Sequence, residues 1–396
     1  MKRAILALAI SFAILPSAEA APKSISIQLG SIYNAPAGSE LFLLSGKNSI
    51  LISNPTSKSS DIQVTAIDAS GVQVWQRAID SGFDEVAMAV TADPLGNIWI
   101  AGSAALAPII ETPTSVIGID NPDQVSVDGA SPLREDMNQI GLWKLAATGE
   151  LLGTYLFPQK SVPVVSAISA TNSGISIIGA LDGKPYLATA TTSGIFGKVF
   201  TIGTSKSEFN SVARNSDGST SIFGSSAELL AGKKVAGIRD GVLIKVSKTG
   251  AITSLVRSSA LKAARSWISG DSSNLVSGPV ITGKVTESAI TKFTSSFAPT
   301  WTLRVPSTGA STTLSANGNS YLAFTSRGVL SGITGWKPNS PSLLVLTFDG
   351  KGVIKAATAF PGLVTPLTLQ YSPARGVVGL GAGADGTVSI FTLVSR

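Results

Sequence analysis

Apolar and polar residues alternate in short runs along most of the chain, and Gly, Asn or Asp breaks the runs every few residues. TADPLGNIWIAGS, residues 91–103, is the clearest case. An alternating run reaches Asp93, Gly96-Asn97 supplies a turn, and a second apolar run follows. Period-two patterning between turn residues predicts antiparallel hairpins. Apolar positions at helical spacing do not persist over about 11 residues anywhere in this region, so no helix is expected.

The hairpins recur as two alternating half-units. The first stands at 40–54, 85–103, 164–180, 209–226, 265–283, 311–326 and 367–383. The second stands at 62–79, 140–157, 185–202, 241–258, 287–305 and 342–360, with a final copy at 387–396 that holds only its first strand. The copy at 287–305 lacks the turn glycine. Each pair makes a four-stranded meander with the spacing of a propeller blade, roughly 45–55 residues. The expected fold is all-β: a seven-bladed β-propeller of four-stranded antiparallel blades, forming one domain over 21–396. The blades fall at about 40–79, 84–157, 163–202, 208–258, 264–305, 310–360 and 365–396. The last blade lacks a strand, and SISIQLG (24–30) is a strand without a partner. The expectation is that 24–30 joins the C-terminal blade and closes the ring, which leaves only short blade edges exposed.

Asp93, Gly96, Asn97, Ile98, Trp99, Ile100, Ala101 and Gly102 follow the pattern D-x-x-G-N-[IV]-[YW]-[IV]-[AT]-G. In this the chain resembles the exported bacterial β-propeller repeat proteins, a family defined by its fold and not by an activity. Gly174, Asp217-Gly218 and Asn317-Gly318-Asn319 match in part. AIDASGVQVWQ (66–76) resembles one repeat of the propellers related to quinone-dependent dehydrogenases and outer-membrane assembly scaffolds, but its Trp recurs only at Trp301.

Composition narrows the chemistry. Lys2-Arg3, an apolar run from Ala4 to Leu15, Pro16 and Ala18-Glu19-Ala20 form a signal peptide with a small-x-small cleavage site at residues 1–20. The run is too short to span a bilayer. The expected chain is exported, secreted or held in the periplasm or cell envelope, and does not insert in the membrane after cleavage. There is no Cys and no His. Ser-His-Asp triads, Cys-His pairs, and zinc, haem or iron–sulfur sites built on those residues are therefore excluded. The net charge is +6, or +5 without Lys2, Arg3 and Glu19, and the basic residues are scattered rather than clustered in a stripe. No nucleic-acid partner is expected.

With the four strands of each blade lettered a to d from the central channel outward, the a–b and c–d hairpins are tight, so function is sought in the b–c loops at 104–138, about 226–240 and about 326–341, which share one face. Asp120, Asp123 and Asp128 in the first loop offer oxygen ligands that would suit Ca²⁺, although their spacing is not that of an EF-hand and Asx turns explain them as well. Arg134 ends that loop. In the third loop, Trp336 beside Lys337 would stack on a sugar or peptide, or else fold back over a blade. Lys233, Lys234, Arg239 and Asp240 read as a solvated charge set. Asp84-Glu85 and Glu208 open blades on the same face, as a carboxylate pair for glycoside hydrolysis or as turn-capping groups. Trp75, Trp99, Trp143, Trp267 and Trp301 read as packing within strands. The expected function is a monomeric, non-catalytic binding or scaffold propeller for a protein or glycan ligand at the b–c face, with no obligatory cofactor. The alternative is a polysaccharide-active enzyme using the same face.

Overall fold

The computed structural model describes residues 24–55, 61–82, 84–106 and 134–393. Among them there is no helix. Five four-stranded antiparallel sheets stand apart. Four of them follow chain order: Leu41–Ser45 to Gln73–Ile79, Glu85–Ala92 to Leu151–Pro158, Val164–Thr171 to Phe200–Thr201, and Ser207–Arg214 to Ile252–Ser258. The fifth joins Leu363–Ser372, Gly376–Gly383 and Val388–Thr392 to Ser31–Asn34 near the other end of the chain. The rest form one ten-stranded sheet. The fold is a β-propeller of four-stranded blades.

The ten-stranded sheet arises because the chain does not break between two repeats. Pro299–Ala316 is a single strand of 18 residues. Its first part pairs with Val285–Phe293 as far as Pro306, and its later part pairs with Asn319–Ser326 from Ser307 onward. The register slips between Ser307 and Ser311. Gly309 sits there with φ 102°, and its N–H is bonded to Ser307 Oγ at 2.8 Å. A glycine is needed to bend the strand in this left-handed region.

The closing strand differs from the expected one. Ser31–Asn34 pairs antiparallel with Val388–Thr392. Ile25–Leu29 runs parallel to Ile354–Phe360, with Ile27 opposite Ala357, and its start pairs with the short strand Ile333–Thr334. An alternating run fits any exposed sheet edge, so its pattern did not choose between the two sheets. Gly30 makes the transition: its N–H bonds Ala359 O, and a Cβ there would stand 2.0 Å from the Phe360 ring.

The core lies between sheets. One cluster joins Ile50, Ile52 and Ile62 to Ile98, Ile100 and Trp143, and similar clusters link each sheet to the next. Within the ten-stranded sheet, Leu275 and Ile290 pack against Leu322 and Phe324. Phe42, Leu44 and Leu51 then meet Val378, Leu380 and Ile390, so the last sheet packs on the first. Apolar burial is thus continuous around a ring, and each sheet buries both faces.

One turn is used ten times among the described residues. Asp93 N–H bonds Asn97 O, and Gly96 N–H bonds Asp93 O; the same pair of bonds recurs from Asp68-Gly71 to Gly383-Gly386. This is a type I turn followed by a residue in the left-handed region. Gly fills that position in eight copies, Asn274 in one and Phe297 in another. Phe297 stands in the repeat that lacks the turn glycine. Its φ of 63° is strained for an aromatic residue, but the ring is buried in the core.

Candidate functional site

The turn of residues 93–97 is organised by a carboxylate. Asp93 accepts bonds from the N–H groups of Leu95 and Asn97, from Asn97 Nδ2 and, at 3.0 Å, from the fully buried Trp99 Nε1. Burial pushes its pKa up, but the bonds from Asn97 and Trp99 outweigh that and hold it below the ordinary value. Asp68, Ser247 and Asp349 repeat the device with the N–H groups two and four residues on. These polar groups are occupied by their own turns.

The other face carries the long connections. Asp84, buried, pairs with Arg134, which also bonds Asp136 at 2.8 Å. The Asp136 bond, against the opposing effect of burial and together with Asp84, holds the guanidinium above its ordinary pKa. Asp84 and Arg134 are therefore brought together, as a brace at the base of the first long loop. Asp120, Asp123 and Asp128 lie outside the described residues, as does the expected signal segment 1–20. Among the described residues, no three His, Cys, Asp or Glu side chains gather to hold a metal, and no helix is long and apolar enough to cross a membrane.

Glu85 is fully buried. One oxygen accepts the Ser81 N–H at 2.9 Å, and the other, Oε2, has no hydrogen-bond partner. Burial pushes its pKa up to about 7, against the Ser81 bonds and with help from Asp61 and Asp80. Such a value would suit a general acid, but Glu85 lines none of the described cavities. Glu208 is exposed at the start of a different sheet and lines a separate cleft of about 190 Å³. The structure does not bring Asp84-Glu85 and Glu208 to a common cleft.

The loop at 227–239 departs from the expected solvated charge set. Asp240 is fully buried. It accepts the N–H groups of Ala236 and Gly237, each at 2.9 Å, and pairs with the buried Arg257 at 3.4 Å. Arg257 also donates to the carbonyls of Ser226, Glu228 and Lys233, lacing the loop to its own sheet. Lys233 and Lys234 remain exposed. The sequence signal that was missed is Asp240 at the mouth of a strand with an Arg two strand-lengths on.

Trp336 is buried, and its Nε1 donates to Ser326 Oγ at 2.9 Å. It belongs to a core cluster against which Ile25 and Ile27 pack, so it presents no stacking face; Lys337 beside it is exposed. Trp99, Trp143 and Trp267 are fully buried, and Trp75 and Trp301 partly so. Trp267 lies between two short strands rather than within one. Arg265 stacks 4.4 Å from the Trp267 ring centre, and burial, with Arg304 nearby, lowers its pKa to about 10.

A cavity of about 580 Å³ lies at the centre of the ring. Seven separate stretches wall it: 40–42, 88–91, 166–169, 210–213, 268–272, 311–314 and 367–370. Its polar lining is chiefly Ser, Thr, Asn and Gln, with Glu40 and Asp271 as its carboxylates and no basic side chain. Much of that lining staples neighbouring repeats. Ser211 Oγ donates to Gly270 O, Ser269 Oγ accepts the Thr313 N–H, and Asp271 accepts the Ser315 N–H. Asn210 Nδ2 is buried without a partner.

No family model matches the chain, and no curated protein matches it. Among solved structures, BBS1N in complex with ARL6DN aligns over 94% of this chain and 98% of its own, at 9% identity and a TM-score of 0.50. A protein of unknown function from Bacteroides caccae aligns over 80% of this chain and 99% of its own, at 10% identity and a TM-score of 0.37. The Neurospora crassa Pan2 WD40 domain aligns over 79% and 90%, at 9% identity and a TM-score of 0.42. The likeness is one of fold.

Proposed function

We propose that the chain is an exported, monomeric, non-catalytic binding or scaffold propeller of seven blades that meets a protein or glycan ligand on its b–c loop face. The observation that carries this reading is the contrast between the faces. Nine of the ten self-closed turns shut a–b or c–d connections, whereas the long connections at 105–138, 227–239 and 327–341 all leave on the opposite side. Loops that exceed what a blade needs are where binding residues collect.

Seven blades follow if the ten-stranded sheet is divided at the Ser307–Ser311 slip, and the seven stretches around the cavity favour that division. Ser31–Asn34 then supplies the outer strand of the last blade. A protein ligand has a precedent in the BBS1N structure, which is a complex with ARL6DN. The test is a photo-crosslinking amino acid placed at Lys234 or Lys337 on the loop face and at Leu95 or Lys351 on the turn face. The chain is expressed in its own cells and recovered after irradiation. Crosslinked ligand from the loop-face positions alone is expected; crosslinks from the turn face alone, or from neither, overturn the reading. N-terminal sequencing of the recovered chain should begin at Ala21, and a retained Met1 overturns export.

A further inference from the structure

The loop 227–239 and the turn 259–262 lie side by side. Ile238 N–H bonds Ala263 O at 2.9 Å, Arg265 N–H bonds Arg239 O at 2.9 Å, and Ala263 N–H closes the turn on Ala260 O at 3.1 Å. On these adjoining segments three aliphatic side chains face solvent: Leu229 is 63% exposed, Ile238 67% and Leu261 81%. Lys233, Lys234 and Lys262 are exposed among them. The carboxylates close by are occupied. Glu228 accepts bonds from Thr204 N–H, Thr204 Oγ1 and Ser207 Oγ, and Asp240 is buried on Arg257. Glu228 keeps its charge, since those bonds come from neutral groups, so three lysines against one carboxylate leave the patch apolar at its tips and net positive around them.

We infer that this patch docks on an anionic phospholipid surface, with Leu229, Ile238 and Leu261 entering the headgroup–acyl boundary and Lys233, Lys234 and Lys262 meeting lipid phosphates. It rests on the reading of the loop face as the contact face and goes beyond the protein or glycan ligand by giving this sector a lipid partner of its own. The tips are held outward before contact. Arg257 ties the carbonyls of Glu228 and Lys233 to the sheet, and Ala231 and Lys262 hold φ of 45° and 57°. A display already rigid in the free protein loses little freedom on docking. Charge complementarity selects an anionic partner. Turn tips select a deformable one, because a lipid boundary accepts any aliphatic tip whereas a protein needs a matching pocket for each. Each lysine near an anionic bilayer is worth about fivefold in affinity, so three together are worth about a hundredfold.

The test uses the chain from Ala21 on, which contains every described strand, and co-sedimentation with phosphatidylcholine vesicles with and without phosphatidylglycerol. Binding is expected only with phosphatidylglycerol, and it should weaken as salt screens the lysines. Replacing Leu229, Ile238 and Leu261 by Ser should lower partitioning at least about tenfold. Replacing Lys233, Lys234 and Lys262 by Gln should lower it about a hundredfold. Leu95→Ser on the opposite face should change nothing, and thermal unfolding of each variant shows that it folds. The inference is overturned if the chain ignores phosphatidylglycerol vesicles, if the variants bind as the parent does, or if the patch captures an acidic protein but no vesicles. In those cases crosslinks from Lys337 still decide the wider loop-face reading.

Discussion

Asp240 and Glu85 are both fully buried carboxylates at the start of a strand on the loop face, yet their surroundings are opposite. Asp240 has two backbone N–H groups and the Arg257 guanidinium, so it is buried as a charge with its countercharge. Glu85 has one N–H, an oxygen without a partner, and Asp61 and Asp80 in place of a cation. Burial of a carboxylate is tolerable in two ways: pair the charge, or remove it with a proton. The loop at 227–239 uses the first, while at Glu85 burial shifts the balance toward the second.

The contrast can be broken at its strongest point. Asp240→Ala leaves Arg257 buried without its carboxylate and two loop N–H groups unbonded. It should cost about 3–5 kcal/mol, read by urea denaturation; a loss below about 1 kcal/mol would mean that the pair is not what holds the loop. Glu85 should respond to pH instead. Its folded pKa of about 7 lies above the ordinary 4.5, so its protonated form contributes stability below pH 4.5, and that contribution is lost as the pH rises through 7. Glu85→Gln keeps an acceptor for Ser81 and carries no charge. It should therefore be more stable than the parent at pH 8 by about 3 kcal/mol and equal to it at pH 4.5. Equal stability at both values would refute the assignment.

Asp93 sharpens the comparison from the other face, because its charge is met by hydrogen bonds without any cation. Asp93→Ala strands the buried Trp99 Nε1 and frees the turn, and should cost about 2 kcal/mol in the same denaturation assay. The smallest effect concerns backbone strain in the 227–239 loop. Ala231 is exposed with φ 45°, and Ala231→Gly should gain about 0.5 kcal/mol, since the relieved left-handed strain slightly exceeds the entropy cost of glycine.

Much of the repeat was legible in the sequence. Residues 91–103 form a hairpin with its turn at 93–97, and the absence of helix among the described residues follows from patterning. The turn at 294–297 shows the limit: a glycine was the expected signal, and Phe297 fills the position because burial of its ring offsets the strain. The site was less legible. Trp336 was open to two readings, a stacking platform or a ring folded back over a blade, and only the structure chose the second: the indole is buried and bonded to Ser326, in a cluster that Ile25 and Ile27 of the N-terminal strand also pack against.

The sequence by itself determined the local elements, since alternation and turn chemistry act within a few residues of each other. It also removed Cys and His chemistry outright. Only the tertiary structure decided which edge each terminal strand takes, where one strand runs through two repeats, and which carboxylates meet a cation. Those outcomes depend on groups far apart in the chain: Arg257 reaches Asp240 and Arg134 reaches Asp84, while Glu85 finds neither. The Arg257 pair is made by strand register within one sheet, where Arg257 stands opposite Val242 near Asp240, and that register exists only once the sheet has formed.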